Sequence, residues 1–155
     1  MRAIHRRRAM ALQPFCQQPV ISIAPSQTIQ EACQMLRQHN IGCLVVADQG
    51  TLAGILTDRD IALRVTGEGK DPQRTTVQEV MTPNPVSIAM GQSLHDVTAL
   101  MRAHRVRRVP IVDGAYKVLG IITLDDLIAL FGEELSDLGK TVSESFLRKT
   151  VAADP

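Results

Sequence analysis

Two heptapeptides, Gly54-Ile-Leu-Thr-Asp-Arg-Asp60 and Gly120-Ile-Ile-Thr-Leu-Asp-Asp126, stand 66 residues apart and decide how this chain is read. The similarity extends upstream of them. A shift of 65 residues lays Ser22–Asp48 on Ser87–Asp113, and seven of those 27 positions are identical: Ser22/Ser87, Ile23/Ile88, Ala24/Ala89, Gln27/Gln92, Arg37/Arg102, His39/His104 and Asp48/Asp113. Chance at ordinary composition supplies roughly two. Further upstream, Leu12, Phe15 and Cys16 face Val77, Val80 and Met81. A period of this length marks a supersecondary unit used twice.

The copies read alike locally. Each begins with a short strand (Val20–Ala24; Val86–Ala89) and a polar turn. A helix follows, whose apolar residues recur at i, i+3, i+4 and i+7: Ile29, Ala32, Cys33 and Leu36, matched by Leu94, Val97, Thr98 and Met101. Next come an apolar strand (Cys43–Ala47; Val109–Val112), a tight turn, another strand (Leu52–Leu56; Val118–Ile122) and a second helix (Asp58–Val65; Leu124–Phe131). The fold class is therefore α/β (α+β): two β-α-β-β-α repeats in pseudo-two-fold packing, their small sheets covered by helices. Neither copy alone holds much core, so the two are expected to stack.

The Gly- and charge-rich stretch Thr66–Thr75 reads as the connection. The expected division is a basic tail at 1–11, a first repeat at 12–66, a linker at 67–76, a second repeat at 77–131 and an extension at 132–155. In that extension Leu135, Leu138, Val142, Phe146 and Leu147 follow a roughly helical period, so 133–149 reads as an added amphipathic helix that covers the module or meets a partner.

Composition sets the outer limits. Of 155 residues, 45% are apolar and 21% charged, too apolar for a disordered chain, yet no apolar run approaches the about 20 residues of a membrane span. A net charge of +1 and four aromatics, none of them Trp, argue against nucleic-acid binding. No acidic residue precedes Glu31, while Arg2, Arg6, Arg7 and Arg8 make the start basic. A transit peptide or a membrane-touching arm shares that composition; a plain tail is the simpler reading. Three cysteines without C-x-x-C spacing suit a reducing, cytoplasmic setting, with neither a disulfide framework nor a metal site.

The tandem arrangement resembles a pair of cystathionine-β-synthase-type (CBS) domains, a stand-alone Bateman module. The two heptapeptides carry the resemblance, together with Val80-Met81-Thr82 before Pro85-Val86-Ser87 and the stretch His104-Arg-Val-Arg-Arg-Val-Pro-Ile-Val-Asp113. It covers about residues 12–131. Such modules are non-catalytic sensors that bind adenine nucleotides (AMP, ADP or ATP) as regulatory ligands, pair into homodimers and signal to a regulated protein. S-adenosylmethionine and NADH are alternative adenosyl ligands. An interaction module with vestigial clefts, acting through its C-terminal helix, is the alternative function.

Each Thr-x-x-Asp pair fits the start of a helix as a cap, and the same geometry suits ligand binding. The resemblance implies that the Asp holds a ribose and the Thr lies near phosphate. It further implies that each cleft joins the Thr/Asp pair of one copy to the first strand and phosphate-side residues of the other. One cleft would contain Thr57, Asp60, Ser87, Val106, Arg107 and Arg108; the other would contain Thr123, Asp126, Ser22, Ile41 and Gly42. Because Gly42-Cys43 stands where the second copy has Arg107-Arg108, the first cleft is expected to be the better phosphate binder. Neighbouring strand residues point to opposite faces, so at most one of the two arginines faces a given cleft. Pro110 suits an edge or irregular strand beside an opening. Arg59 would add charge or face water, and His39 and His104 read as helix-end dipole partners. Gly67-Glu-Gly-Lys70 fails the phosphate-loop pattern, since Asp71 stands where Ser or Thr is required.

Overall fold

A computed structural model describes residue 12 and residues 19–151, with side chains to residue 143 of the last helix. The basic tail, Phe15 and Cys16 lie outside the described residues. Two compact units divide the chain, one ending at Ile122 and the other starting at Thr123.

In the first unit, β1 (Ser22–Ile23) leads to α1 (Ile29–His39), β2 (Cys43–Asp48) and β3 (Thr51–Thr57). β1 runs parallel to β2 with Ser22 opposite Val45, and β2 pairs antiparallel with β3 from Cys43↔Thr57 to Asp48↔Thr51. Gln49 and Gly50, at φ 46° and 80°, make the two-residue turn between them. The helical segment after β3 is α2 (Asp58–Ile61), which widens into a π turn over Ala62–Thr66. Bonds from Gly67 N–H to the Ala62 carbonyl and from Lys70 N–H to the Val65 carbonyl carry the chain out of it.

The connection is not a free loop. Its backbone is tied to the start of α1, where Ile29 N–H donates to the Thr75 carbonyl and Gln30 N–H to that of Pro72. Two short elements follow it, α3 (Val77–Val80) and β4 (Thr82–Pro83). β4 adds a fourth strand to the first sheet, with Gly54 opposite Pro83. This contact explains one heptapeptide glycine: a Cβ on Gly54 would collide with Met81 Sδ and come within 3.0 Å of the Thr82 carbonyl oxygen.

The second copy repeats the plan with β5 (Ile88–Ala89), α4 (Leu94–His104), β6 (Arg108–Val112) and β7 (Val118–Thr123), in sheet order β5-β6-β7. Capping boxes start both long helices: Thr28 with Glu31, and Ser93 with Asp96. Both helices end on a left-handed residue, Asn40 and Arg105, which are equivalent positions of the repeat. His39 and His104 sit in the last turns, as expected. Ile29, Ala32 and Leu36 of α1 are buried with Ile23, Leu44, Val46 and Leu56; in the second copy Leu94, Val97, Met101, Val109, Ile111 and Ile122 are buried.

Where the two hairpins meet, the pseudo-two-fold relation is direct. Thr51 bridges its own equivalent, Lys117; Leu52 N–H donates to the Tyr116 carbonyl and Val118 N–H to the Gly50 carbonyl, both at 3.0 Å. Exchanging the copies turns one bond into the other. Lys117 Nζ adds side-chain bonds to the Gln49 carbonyl and Thr51 Oγ1.

The second unit is α5 (Leu124–Val151), one helix of 28 residues. The sequence reading stopped a helix at Phe131 and began another at Glu133; the structure joins them through Gly132. Glycine weakens a helix by about 1 kcal/mol against alanine but does not end it. Leu135, Leu138 and Val142 are exposed along α5, so among the described residues this stripe covers nothing.

Candidate functional site

β3 ends at Thr57 and α2 begins at Asp58, so the strand-to-helix corner positions the Thr57/Asp60 pair. Asp60 Oδ2 accepts from Thr57 N–H at 3.0 Å and from Thr57 Oγ1–H at 2.6 Å, while Asp60 N–H donates to Thr57 Oγ1 at 3.2 Å. The carboxylate is thereby aimed, and its Oδ1 lies 3.4 Å from Arg64 Nη2. Arg64 also donates through Nη1 to the Val80 carbonyl at 2.6 Å, joining the helical segment after β3 to the end of α3. The sequence reading missed Arg64, although its place four residues after Asp60 on a helix was a usable signal.

At the head of α5, Thr123 and Asp126 reproduce the cap: Thr123 N–H and Oγ1–H donate to Asp126 Oδ2 at 3.0 and 2.6 Å. The position equivalent to Arg64 is Leu130. The two carboxylates therefore share a cap but not a cation four residues on.

Arg108 opens β6 and is half-buried, whereas Arg107 is exposed. Arg107 stands just before the strand, so the two arginines differ in exposure because one precedes β6 and the other opens it, not through strand alternation. The Arg108 guanidinium reaches into the first copy: its Nη2 lies 3.2 Å from where a Cβ on Gly42 would stand, and Asp58 Oδ2 lies 3.2 Å from the same point. Glycine at 42 leaves room for both groups. Cys43, the positional equivalent of Arg108, is in this neighbourhood too. Burial pushes its thiol pKa up to about 12, opposed by the Arg108 charge and reinforced by Asp58 and Asp60.

Arg108 is therefore gathered with Gly42, Cys43, Asp58 and the Thr57/Asp60 corner. Gly42, which the sequence reading gave to the other cleft, lies beside Arg108. Asp58 went unnoticed because an exposed acidic residue at a helix start looks like ordinary dipole compensation. Of the remaining expected residues, Ser87 precedes β5 and is half-buried, Val106 follows α4 and is half-buried, Ile41 packs against the first core, and Ser22 is exposed on β1. Arg59 is exposed.

Pro110 departs from expectation, since it is buried in β6, the middle strand of its sheet and not an edge. In the first copy, Val45 N–H donates to the Ile21 carbonyl at 3.4 Å. The equivalent pair is Pro110 and Val86, and without an N–H Pro110 cannot return that bond. β5 accordingly begins only at Ile88, and the Val86 carbonyl lacks the ladder partner that Ile21 has.

The family model of the CBS domain matches residues 13–67 and again residues 77–133. The chain belongs to the CBS-domain family. As a tandem CBS pair it is 50% identical over 108 residues to the CBS domain-containing protein YhcV of Bacillus subtilis, covering 70% of this chain and 76% of that protein. To hypoxic response protein 1 of Mycobacterium tuberculosis it is 32% identical over 109 residues, again 70% and 76%. The crystal structure of the CBS domain pair of protein MJ0100, in complex with 5′-methylthioadenosine and S-adenosyl-L-methionine, superposes with a TM-score of 0.72 at 32% identity, covering 81% of this chain and 98% of that one. The resemblance read from the heptapeptides and the α/β class both hold. No described helix of this CBS pair is long and apolar enough to cross a membrane.

Proposed function

We propose that this CBS pair is a non-catalytic regulatory module that takes an adenine nucleotide (AMP, ADP or ATP) where the second copy meets the Thr57/Asp60 corner. The observation that carries the reading is Arg108, a half-buried guanidinium held over Gly42 beside that corner. A guanidinium in such a place offers two parallel N–H donors to phosphate oxygens. Asp60, already aimed by Thr57, supplies a carboxylate of the kind that accepts ribose hydroxyls. The Val86 carbonyl, freed by Pro110, is an acceptor suited to an exocyclic amino group, so the base needs no aromatic platform. Ser87 and Val106 complete this cleft in the proposal, with Arg107 at its exposed side.

Regulation follows from differential affinity. A ligand that prefers one arrangement of the copies populates it, and a partner protein reads the result. Two copies of the chain are proposed to form the working unit. A second ligand class is favoured by one finding, the 5′-methylthioadenosine and S-adenosyl-L-methionine complex of the MJ0100 pair. Neither compound carries a phosphate, so the two readings separate cleanly. Titration calorimetry with AMP, ADP, ATP, S-adenosylmethionine, 5′-methylthioadenosine and NADH is the test, on protein shown ligand-free by native mass spectrometry. Binding of a phosphorylated ligand that weakens at least tenfold in Arg108→Ala supports the nucleotide reading; tight binding of the phosphate-free ligands alone replaces it; no binding by any of them refutes both.

A further inference from the structure

The cleft at Arg108 contains one charge that none of the proposed ligand contacts uses. Asp58 is the first residue of α2, and its carboxylate is held in place. Its Oδ1 accepts from Arg59 N–H at 2.8 Å, and its Oδ2 lies 3.2 Å from the point where a Cβ on Gly42 would stand. Arg108 Nη2 lies 3.2 Å from that same point. A carboxylate and a guanidinium therefore face one open spot, the one from which phosphate oxygens would approach Arg108. Asp58 is exposed as a residue, yet its charge is felt inside. The Cys43 thiol, pushed up chiefly by burial, is drawn down by Arg108 and raised further by Asp58. The helix cap does not need this carboxylate. Leu124 is the equivalent residue of the second copy, and beside it Thr123 and Asp126 form their cap with the same bond lengths as Thr57 and Asp60.

Charge decides what the spot can take. Arg64 is committed to Asp60 at 3.4 Å and to the Val80 carbonyl at 2.6 Å, so among the described residues gathered at this corner Arg108 is the cation left for phosphate. The start of α2 offers no substitute. The N–H groups of Asp58, Arg59 and Asp60 already donate to the Gly42 carbonyl, Asp58 Oδ1 and Thr57 Oγ1. Arg59 and Arg107 are exposed, where water and salt weaken a charge. One guanidinium fork matches one phosphate group. A nucleoside monophosphate brings about two negative charges at neutral pH. Each further phosphate adds to that charge without meeting a further committed cation, and it does so near Asp58. Like charges this close repel, and repulsion built into a site is a means of selecting among ligands that share every other contact.

We infer that Asp58 is a specificity-determining residue of this cleft, a tethered anion beside Arg108 that admits a nucleoside monophosphate and disfavours di- and triphosphates. The inference rests on the reading that an adenine nucleotide binds at Arg108, and it names which one. Titration calorimetry on the full, ligand-free chain tests it, with adenosine, AMP and ATP in magnesium-free buffer of low ionic strength. The wild type is expected to bind AMP at least about tenfold more tightly than ATP. Asp58→Asn keeps an acceptor for Arg59 N–H and loses the charge. It is expected to gain about threefold for AMP and at least about tenfold for ATP, with adenosine changed by less than about twofold. Asp58→Glu restores the charge and should restore the preference for AMP. A gain in affinity cannot come from a damaged fold, and salt of about 0.5 M should erase most of it. A wild type that prefers ATP, or an Asp58→Asn variant with the wild-type ratio of AMP to ATP affinity, overturns the role of Asp58. Binding that falls in Arg108→Ala leaves the nucleotide reading standing in either case. A gain as large at high salt makes the effect one of shape and overturns the inference too. No nucleotide bound by the wild type or by Asp58→Asn overturns both the nucleotide reading and this inference.

Discussion

Arg108 in the second copy lies over Gly42 in the first, its Nη2 3.2 Å from the point a Cβ would occupy. The repeat makes this contact pointed. Arg108 is equivalent in sequence to Cys43, the residue after Gly42, so the guanidinium of one copy rests where the other copy has no charge to offer. Two cations facing across the pseudo-two-fold would repel; one cation beside a glycine does not.

Gly42→Val is expected to displace the guanidinium, because both neighbours of the new side chain stand closer than ordinary van der Waals contact. AMP affinity should fall about tenfold with little change in thermal stability. Arg108→Ala should cost about 1.5–3 kcal/mol of phosphate binding, the value of a charge-assisted hydrogen bond, and leave adenosine affinity nearly unchanged. Both changes act through one group, so the double variant should bind AMP no more weakly than Arg108→Ala alone. Additive losses in calorimetry would show that Gly42 acts by another route.

The two carboxylates provide a second comparison. Asp60 and Asp126 have matching caps, 2.6 Å from their threonine hydroxyls, but only Asp60 belongs to the corner that Arg108 approaches. Asp60→Ala is expected to weaken a ribose phosphate far more than Asp126→Ala does. Each loses a helix cap, worth about 1 kcal/mol of stability. Equal losses of affinity would contradict unequal clefts. Asp60→Asn separates the effects, since an amide still caps the helix.

Cys43 gives a pH signature. Its thiol is pushed up to about 12 by burial, so the folded state holds the proton more tightly than the unfolded state. Stability from this group is complete below the ordinary thiol pKa and is lost as pH rises from about 9 toward 12, with a limiting slope of about 1.4 kcal/mol per pH unit. The difference in urea midpoint between the wild type and Cys43→Ala should therefore shrink or reverse between about pH 8.5 and 11. A constant difference would place the thiol in a solvated setting.

Much of this was legible because the same local chemistry is written twice. The threonine, serine and carboxylate caps announce where α1, α2 and α4 begin, and alternation plus the Gln49-Gly50 turn announces the hairpins. Three features were not legible, because in each a local rule is weaker than it looks or is overridden by a contact between the copies. Gly132 looks like a helix end, yet α5 runs through it. Pro110 looks like an edge residue, yet β5 starts late enough that the missing N–H faces no strand partner. The contact between Arg108 and Gly42 joins residues 66 positions apart across the pseudo-two-fold, where no periodicity within one copy could register it.

Arg105 holds the left-handed position that ends α4, at φ 54°, where α1 has Asn40 at φ 52°. Asparagine tolerates this conformation and a long side chain does so at a cost of about 1 kcal/mol. Arg105→Asn is expected to raise the melting temperature by about 2–5 °C without altering ligand affinity. A neutral or lower melting temperature would mean that the Arg105 side chain contributes interactions that offset its backbone.

Arg64 is the residue that most distinguishes the two Thr-x-x-Asp corners, and Arg64→Leu would copy Leu130 into its place. The change removes the 2.6 Å bond to the Val80 carbonyl and the 3.4 Å approach to Asp60 Oδ1. The bond to Val80 ties the helical segment after β3 to the stretch that introduces the second copy, and its loss should cost about 0.5–1.5 kcal/mol. The ion pair is partly exposed and contributes less. Asp60 keeps its bonds to Thr57, so the carboxylate remains aimed and AMP affinity should fall only about two- to fivefold. A loss as large as that of Asp60→Ala would instead make Arg64 part of the binding group, touching phosphate itself. Salt dependence decides between these outcomes. If Arg64 touches phosphate, its removal flattens the ionic-strength dependence of AMP binding, whereas a positioning role leaves that dependence unchanged.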